Sequence, residues 1–333
     1  MIRQSPFAGK LTVTTIIFHL LISIYPVFQC LAATEQILHG HTNAVSAIDV
    51  SGDGRLIASA SIDQTIRLWD AKTGKVNQEL RGHRGEVYAV CFSPDNQLLA
   101  SSGYDQQVII WSVKSGKQLR ALKLKSWSVA IDFSPDGRRL AVGSQEGNTV
   151  IYDTQTGSPL QTLETGGYVD VLAFSPDGRY LAAARGDIIF WDLKTGQKTK
   201  TLEGHRSSVI SISFSPDGRF LASASRDKTA RLWNAETGEA IKVLETQTPI
   251  AVAYSPKPLK WKMPVTAVAF SPDGKTLAAA TGRAVHLWET ATGNQLRTLE
   301  GHSQSITSVV FLSDGRSLAS GSLDGTVRIW SAQ

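Results

Sequence analysis

A chain of 333 residues, 42% hydrophobic and 19% charged, has ample apolar material for a large core, which excludes a disordered, collagenous or low-complexity protein. Two cysteines exclude a disulfide scaffold and a cysteine-built metal centre. The formal net charge of +5 is mild and spread along the chain, unlike the concentrated charge of a nucleic-acid binder.

The chain opens with Arg3 and Lys10 as the only basic residues before Arg55. Leu11 to Ile24 is apolar apart from Thr, Ser and His19. Pro26 would break a helix, and Cys30-Leu31-Ala32 supplies small residues at both key positions for a cut after Ala32. This order reads as a secretory signal peptide over residues 1–32 and places the protein in the periplasm or otherwise outside the cytoplasm. The alternative is an uncleaved membrane anchor over residues 11–28. Against it stand the shortness of the apolar run, since a span needs ~20 residues, and the central His19. Lipidation at Cys30 is a third reading, weakened by the bulky Gln29 before it. Cleavage would leave Cys91 alone, so the mature chain would hold no internal disulfide.

From residue 34 a repeat takes over. FSPDNQLLA from Phe92, FSPDGRRLA from Phe133, FSPDGRYLA from Phe174, FSPDGRFLA from Phe214 and FSPDGKTLA from Phe270 are copies of one motif. VSGDGRLIA from Val50 and FLSDGRSLA from Phe311 are degenerate copies, making seven. Aromatics recur with them at Trp69, Trp111, Tyr152, Trp191, Trp233, Trp288 and Trp330, spaced 42, 41, 39, 42, 55 and 42 residues apart. A fixed period near 40 signals a repeat architecture.

Each unit predicts four short strands. A run such as AVSAIDV alternates apolar and polar residues. SPDG follows, with Pro suited to the second turn position and Gly to the positive φ after it. LASAS is a small-residue strand. A turn with Asp leads to a β-branched and aromatic strand such as TIRLW. A Thr-Gly or Ser-Gly turn then leads to an outer strand such as VNQEL. No stretch of useful length has a 3.6-residue apolar period, so the predicted fold is all-β.

These units resemble WD40 repeats. The resemblance rests on the openings Gly40-His41, Gly82-His83, Gly204-His205 and Gly301-His302. It rests too on the closing pairs Trp69-Asp70 and Trp191-Asp192, with Tyr152-Asp153 as a variant. It covers residues 34–333 and implies a seven-bladed β-propeller of four-stranded antiparallel blades. The FSPDGR form of the turn is similar to that of prokaryotic, cyanobacterial-type exported WD-repeat proteins. The last unit stops at VRIWSAQ, before an outer strand, while EQILHGH near the start aligns with LRTLEGH around Leu299. Residues 34–38 are therefore expected to supply the missing outer strand and close the ring.

Units 1, 2, 5 and 7 repeat one set of polar residues: His41, Ser59, Asp63, Trp69; His83, Ser101, Asp105, Trp111; His205, Ser223, Asp227, Trp233; and His302, Ser320, Asp324, Trp330. Ser, His and Asp invite a hydrolase reading. Four copies of one active site in a single ring make little sense, and the resemblance implies a buried structural chain instead. No G-x-S-x-G, phosphate loop or H-E-x-x-H is present. Units 3, 4 and 6 lack the set and are expected to be locally less rigid. In unit 3, Leu124 stands in the His place, with Glu146 and Tyr152 in those of Asp and Trp.

The resemblance implies a binding platform whose contact surface is the ring of first-strand starts and second turns. Aligning the units places Glu86, Tyr88, Tyr104, Trp127, Tyr168, Asp170 and Arg226 on it, with Arg185 near. The extra 14 residues of unit 6, within TQTPIAVAYSPKPLKWKMP, bring three lysines with Tyr254 and Trp261 to the same face. The expected function is a non-catalytic scaffold for a protein or peptide partner, with no cofactor, no metal and no nucleic acid. A membrane would be engaged only through an uncleaved N-terminus, and the propeller is expected to be monomeric. The rival is a small-ligand or enzymatic site in the central channel. The innermost strands disfavour it, being apolar and small with only Asp49, Asp132 and Asp170 acidic in or near them.

Overall fold

The computed structural model describes residues 35–245 and 263–332. The leader and anchor readings, Cys30, and the insertion residues Tyr254 and Trp261 lie outside the described residues. Among the described residues the structure is all strand and turn, arranged as seven four-stranded antiparallel sheets. Contacts between innermost strands run from each blade to the next and from Ile306–Phe311 of blade 7 back to Val45–Val50 of blade 1, closing a ring. This is the expected seven-bladed β-propeller.

The turn chemistry explains the blades. In each SPDG turn the amide of the fourth residue donates to the carbonyl of the first, as Gly137 does to Ser134 at 2.8 Å. Ser134 Oγ donates to Asp136 at 2.5 Å and accepts from the Arg139 amide at 2.9 Å, so side chains lock what the backbone begins. The fourth residue has a φ near +70°, which glycine adopts without strain. Blade 2 puts Asn96 there at φ 60°, and its Oδ1 accepts from the Gly52 amide of blade 1 at 2.6 Å.

The core lies between blades. One face of blade 1 packs Ala58, Ala60, Ile66, Leu68 and Leu80 against Val87, Phe92, Leu99, Ile109 and Trp111 of blade 2. Second strands are built from alanine and serine because blades converge towards the axis and leave little room there. Third strands carry Ile, Leu and Trp where the gap widens. Each third–outer pair in blades 1 to 6 shifts register just before its Trp or Tyr, a bulge that raises the local twist.

Ring closure follows the expectation in a shorter form. Gln36–Leu38 pairs antiparallel with Val327–Ser331, with Gln36 opposite Ile329 and Leu38 opposite Val327. Leu38 is buried with Val45, Ile57, Trp69, Ala319 and Ile329, so one side chain joins the first and last blades. Glu35 pairs with Arg328 beside it.

Candidate functional site

The four polar sets form continuous hydrogen-bonded chains. In blade 1, His41 Nδ1 lies 2.8 Å from Asp63, His41 Nε2 lies 2.7 Å from Ser59 Oγ, and Trp69 Nε1 donates to the same oxygen at 2.8 Å. Blades 2, 5 and 7 repeat this with His83–Asp105 at 3.0 Å, His205–Asp227 at 2.8 Å and His302–Asp324 at 2.9 Å. Ser101, Ser223 and Ser320 likewise accept from Trp111, Trp233 and Trp330, each at 2.8 Å. A neutral imidazole satisfies every atom: Nδ1–H donates to Asp, Ser O–H donates to Nε2, and Trp N–H donates to Ser. Burial holds the imidazoles of His41, His83, His205 and His302 below their usual range, against the raising effect of the Asp beside each. Burial alone would raise Asp63 and Asp227. Hydrogen bonds, led by those from Thr65 and Thr229, hold both at about 2 instead.

Chemistry at these sets is unfavourable on geometric grounds. Ser59, Ser101, Ser223 and Ser320 are fully buried, and each hydroxyl already accepts from an indole and faces an imidazole. No approach remains for a substrate carbonyl. The Asp carboxylates also accept from the backbone amides of Thr42, Arg84, Arg206 and Ser303, so each chain ties the start of a blade to its second turn.

The axial acids are also committed to structure. Asp49 accepts from the Phe92 amide at 2.7 Å and Asp132 from the Phe174 amide at 2.8 Å, each capping the innermost strand of the next blade. Burial raises Asp49 to about 6. Burial, followed by the charge of Asp49, raises Asp132 to about 7. Cys91, between them in blade 2, is a buried free thiol pushed well above its usual range by the same burial. Among the described residues no three His, Cys, Asp or Glu side chains gather to hold a metal ion.

The aligned surface residues fall into two groups. Trp127 sits between Tyr88 and Tyr104, at centroid distances of 5.4 and 6.3 Å. Tyr88 Oη donates to Glu86 at 2.5 Å, and burial followed by that carboxylate pushes the hydroxyl up to about 12. On blade 4 the guanidinium of Arg185 stacks 4.4 Å above the ring of Tyr168. Burial raises Asp170, opposed by the charges of Arg226 and Arg185. Tyr104 is 60% exposed and Tyr168 44%, whereas Tyr88 and Trp127 are half-buried against their neighbours. The equivalent residues Ser46, Thr266 and Thr307 serve a different purpose: their hydroxyls donate to the carbonyls of Val87, Ile306 and Val45 and stitch adjacent blades.

One buried polar residue escaped the sequence reading. Blade 6 lacks the usual set, yet His286 in its third strand lies 3.2 Å from Thr281 and 3.1 Å from Thr298, with its ring 5.5 Å from Trp288. The signal was AVHLW, where blades 1 and 5 read TIRLW and TARLW.

The chain matches the family model "WD domain, G-beta repeat" over residues 33–70, 259–289 and 293–331. It also matches the second β-propeller of echinoderm microtubule-associated proteins over residues 87–264, more than half its length. It is 34% identical to the target of rapamycin complex subunit wat1 of Schizosaccharomyces pombe, over 31% of this chain and 29% of that one. It is 27% identical to a guanine nucleotide-binding protein subunit beta of Arabidopsis thaliana, over 42% and 36%. It is 26% identical to subunit I of eukaryotic translation initiation factor 3 of Bombyx mori, over 43% and 44%. The chain thus spans less than half the length of each of these curated relatives, all of them eukaryotic.

Proposed function

This chain belongs to the WD40-repeat β-propellers, and from that premise we propose that it is a non-catalytic scaffold. It captures a protein or peptide partner through the end of the ring that carries Glu86, Tyr88, Tyr104, Trp127, Tyr168, Asp170 and Arg226. One observation carries the reading: rigid aromatics with polar handles are held at the surface by one another and by charged neighbours, on consecutive blades. Such side chains bury large area at small entropic cost, as interface anchors do. The relatives support it, since each is named as a subunit of something larger. The partner class is protein or peptide, with no nucleic acid, and the propeller itself is monomeric.

The N-terminal pattern of Arg3, Lys10, the apolar run and Ala32 supports an extracytoplasmic location after cleavage, in keeping with the exported prokaryotic proteins that the FSPDGR turn resembles. Retention by residues 11–28 is the alternative. Mass spectrometry of the purified N-terminus decides between them: a chain starting at Ala33 supports export, an intact Met1 supports the anchor.

The binding claim is tested by affinity capture from the native envelope, with wild type beside the triple variant Tyr88→Ala, Trp127→Ala, Tyr168→Ala. The expected result is loss of the captured partner with melting temperature nearly unchanged. Undiminished capture by the triple variant would overturn the reading.

A further inference from the structure

Blade 2 carries a carboxylate that no cation answers. Glu86 is half-buried just before the first strand of the blade, Val87–Phe92, and accepts from Tyr88 Oη through one oxygen, Oε2. Among the described residues no donor meets Oε1 and no Lys or Arg pairs with this carboxylate, whereas Glu79 pairs with Arg67 and Glu35 with Arg328. Three rings lie beside it. Trp127 sits between Tyr88 and Tyr104, its plane inclined 51° and 46° to theirs. Rings inclined in this way leave part of each face uncovered by its neighbour. Among the described residues no Lys or Arg stacks on any of the three, although cations stack on rings elsewhere in the chain. Arg84 and Lys125 are the nearest cations in sequence; both are exposed, and Lys125 lines the groove of blade 3 instead.

Blade 4 shows what is missing. By alignment its Tyr168 and Asp170 occupy the two positions that blade 2 gives to Glu86 and Tyr88, an acid and an aromatic in exchanged order. There the second turn supplies a cation: Arg185, directly after strand Tyr180–Ala184, stacks on Tyr168, and its charge acts on Asp170. In blade 2 the residue directly after strand Leu98–Gly103 is Tyr104, a third ring. The acid and the rings are present, and the guanidinium is not. The group is also braced in advance. The Tyr104 amide donates to the Glu86 carbonyl at 2.8 Å. Asp105, next to Tyr104, is held by His83 at 3.0 Å and by the Arg84 amide at 2.9 Å. Ser102 Oγ donates to the carbonyl of Ser128, the neighbour of Trp127, at 3.0 Å and ties blade 2 to blade 3. Groups fixed before a ligand arrives lose little freedom on binding it.

We propose that Glu86, with the rings of Tyr88, Trp127 and Tyr104, is a receptor for a guanidinium, the side chain of an arginine displayed by the protein or peptide partner. This deepens the scaffold reading above and rests on it. The chemistry of the group selects the ligand. A guanidinium offers a flat, weakly hydrated cation to the ring faces and N–H donors to Oε1. A carboxylate would meet Glu86 with like charge. An aliphatic side chain would cover Oε1 without a donor, and a trimethylammonium carries charge but no N–H. A lysine ammonium has donors, yet it is more strongly hydrated and has no flat face to stack.

The experiment titrates the full chain, labelled at its indole nitrogens, with acetyl-Gly-Arg-Gly-amide and with the matching citrulline, lysine, trimethyllysine and leucine peptides. Citrulline keeps the shape of arginine without its charge. A Trp127→Phe variant assigns the Trp127 signal. The expected result is a saturable shift of that signal with the arginine peptide, binding several-fold tighter than any of the others. Glu86→Gln keeps an oxygen for Tyr88 Oη, removes the charge, and should weaken binding several-fold with melting unchanged. Tyr104→Ala removes a ring that is 60% exposed and should also weaken binding several-fold with the fold intact. No saturable shift, equal binding of the citrulline or leucine peptide, tighter binding of the lysine or trimethyllysine peptide, or indifference to Glu86→Gln would each overturn the proposal. The two readings fail separately. Capture lost in the triple variant, with no arginine binding by wild type, removes the guanidinium and leaves the scaffold. Arginine binding by wild type, with capture undiminished in the triple variant, supports the guanidinium receptor and overturns the capture surface.

Discussion

The indole nitrogen of Trp191 is buried without an acceptor because Ala183 stands where blades 1, 2, 5 and 7 place serine. Ala183 is itself buried in the second strand. Ala183→Ser adds one hydroxyl within the geometry that four sibling blades already show. It should raise stability by about 1 kcal/mol, the usual net value of a hydrogen bond. Denaturant unfolding checks this: an upward shift in midpoint with unchanged slope is expected, and an unchanged or lowered midpoint would contradict it.

The opposite change belongs in blade 5. Ser223→Ala leaves both Trp233 Nε1 and His205 Nε2 without their shared partner in a fully buried place. Stability should fall by about 1–3 kcal/mol. Hydrogen exchange should show the loss first in Phe220–Ser225 and Thr229–Asn234. A loss far smaller than this range would mean that the chain is dispensable in that blade.

The pH dependence carries two opposed signs. Asp49 and Asp132 are raised above the ordinary carboxylate value, to about 6 and about 7. Their contribution is therefore full below pH about 4 and is lost as pH rises through these values. Both keep partial exposure, which moderates the effect. Asp132→Asn keeps an oxygen for the Phe174 amide and cannot ionise. The variant should melt higher than wild type above pH about 7, by an amount of the order of 1 kcal/mol, and match it below about 4. The four imidazoles act the other way. Lowered by burial, they contribute fully above about 6.5 and less as pH falls below it. A melting profile of Asp132→Asn parallel to wild type at every pH would rule out the axial carboxylate as the source.

Closure by the chain's front rests on Leu38. It is buried between blades 7 and 1, so Leu38→Ala should cost about 2–5 kcal/mol. The amides of Val327–Ser331 should lose exchange protection before those of blades 3 to 5. Uniform loss across all blades would show that the ring opens only as a whole.

Much of this was legible in the linear sequence. Seven copies of one turn, a near-constant spacing of aromatics and the truncated last unit gave the strand count, the blade number and the origin of the closing strand. Turn chemistry acts over four or five residues, and strand alternation acts over six, so residues 92–100 or 133–141 carry their own conformation with them. The four His–Ser–Asp–Trp sets were readable for the same reason, since their spacing repeats with the blade.

Other features depended on how blades meet. That His286 meets Thr298 across blade 6 follows from side chains facing across the sheet, and no spacing encodes it. The same holds for Asp49 and Asp132, whose acceptors reach an amide 43 and 42 residues away. It holds for Tyr88, Trp127 and Tyr104, which touch only because blades 2 and 3 stand side by side. Local sequence determined each blade because its turns and strands are short-range objects. The ring decided which buried groups find partners, because hydrogen bonding and ring packing need proximity in space, and proximity between blades exists only once the circle is closed.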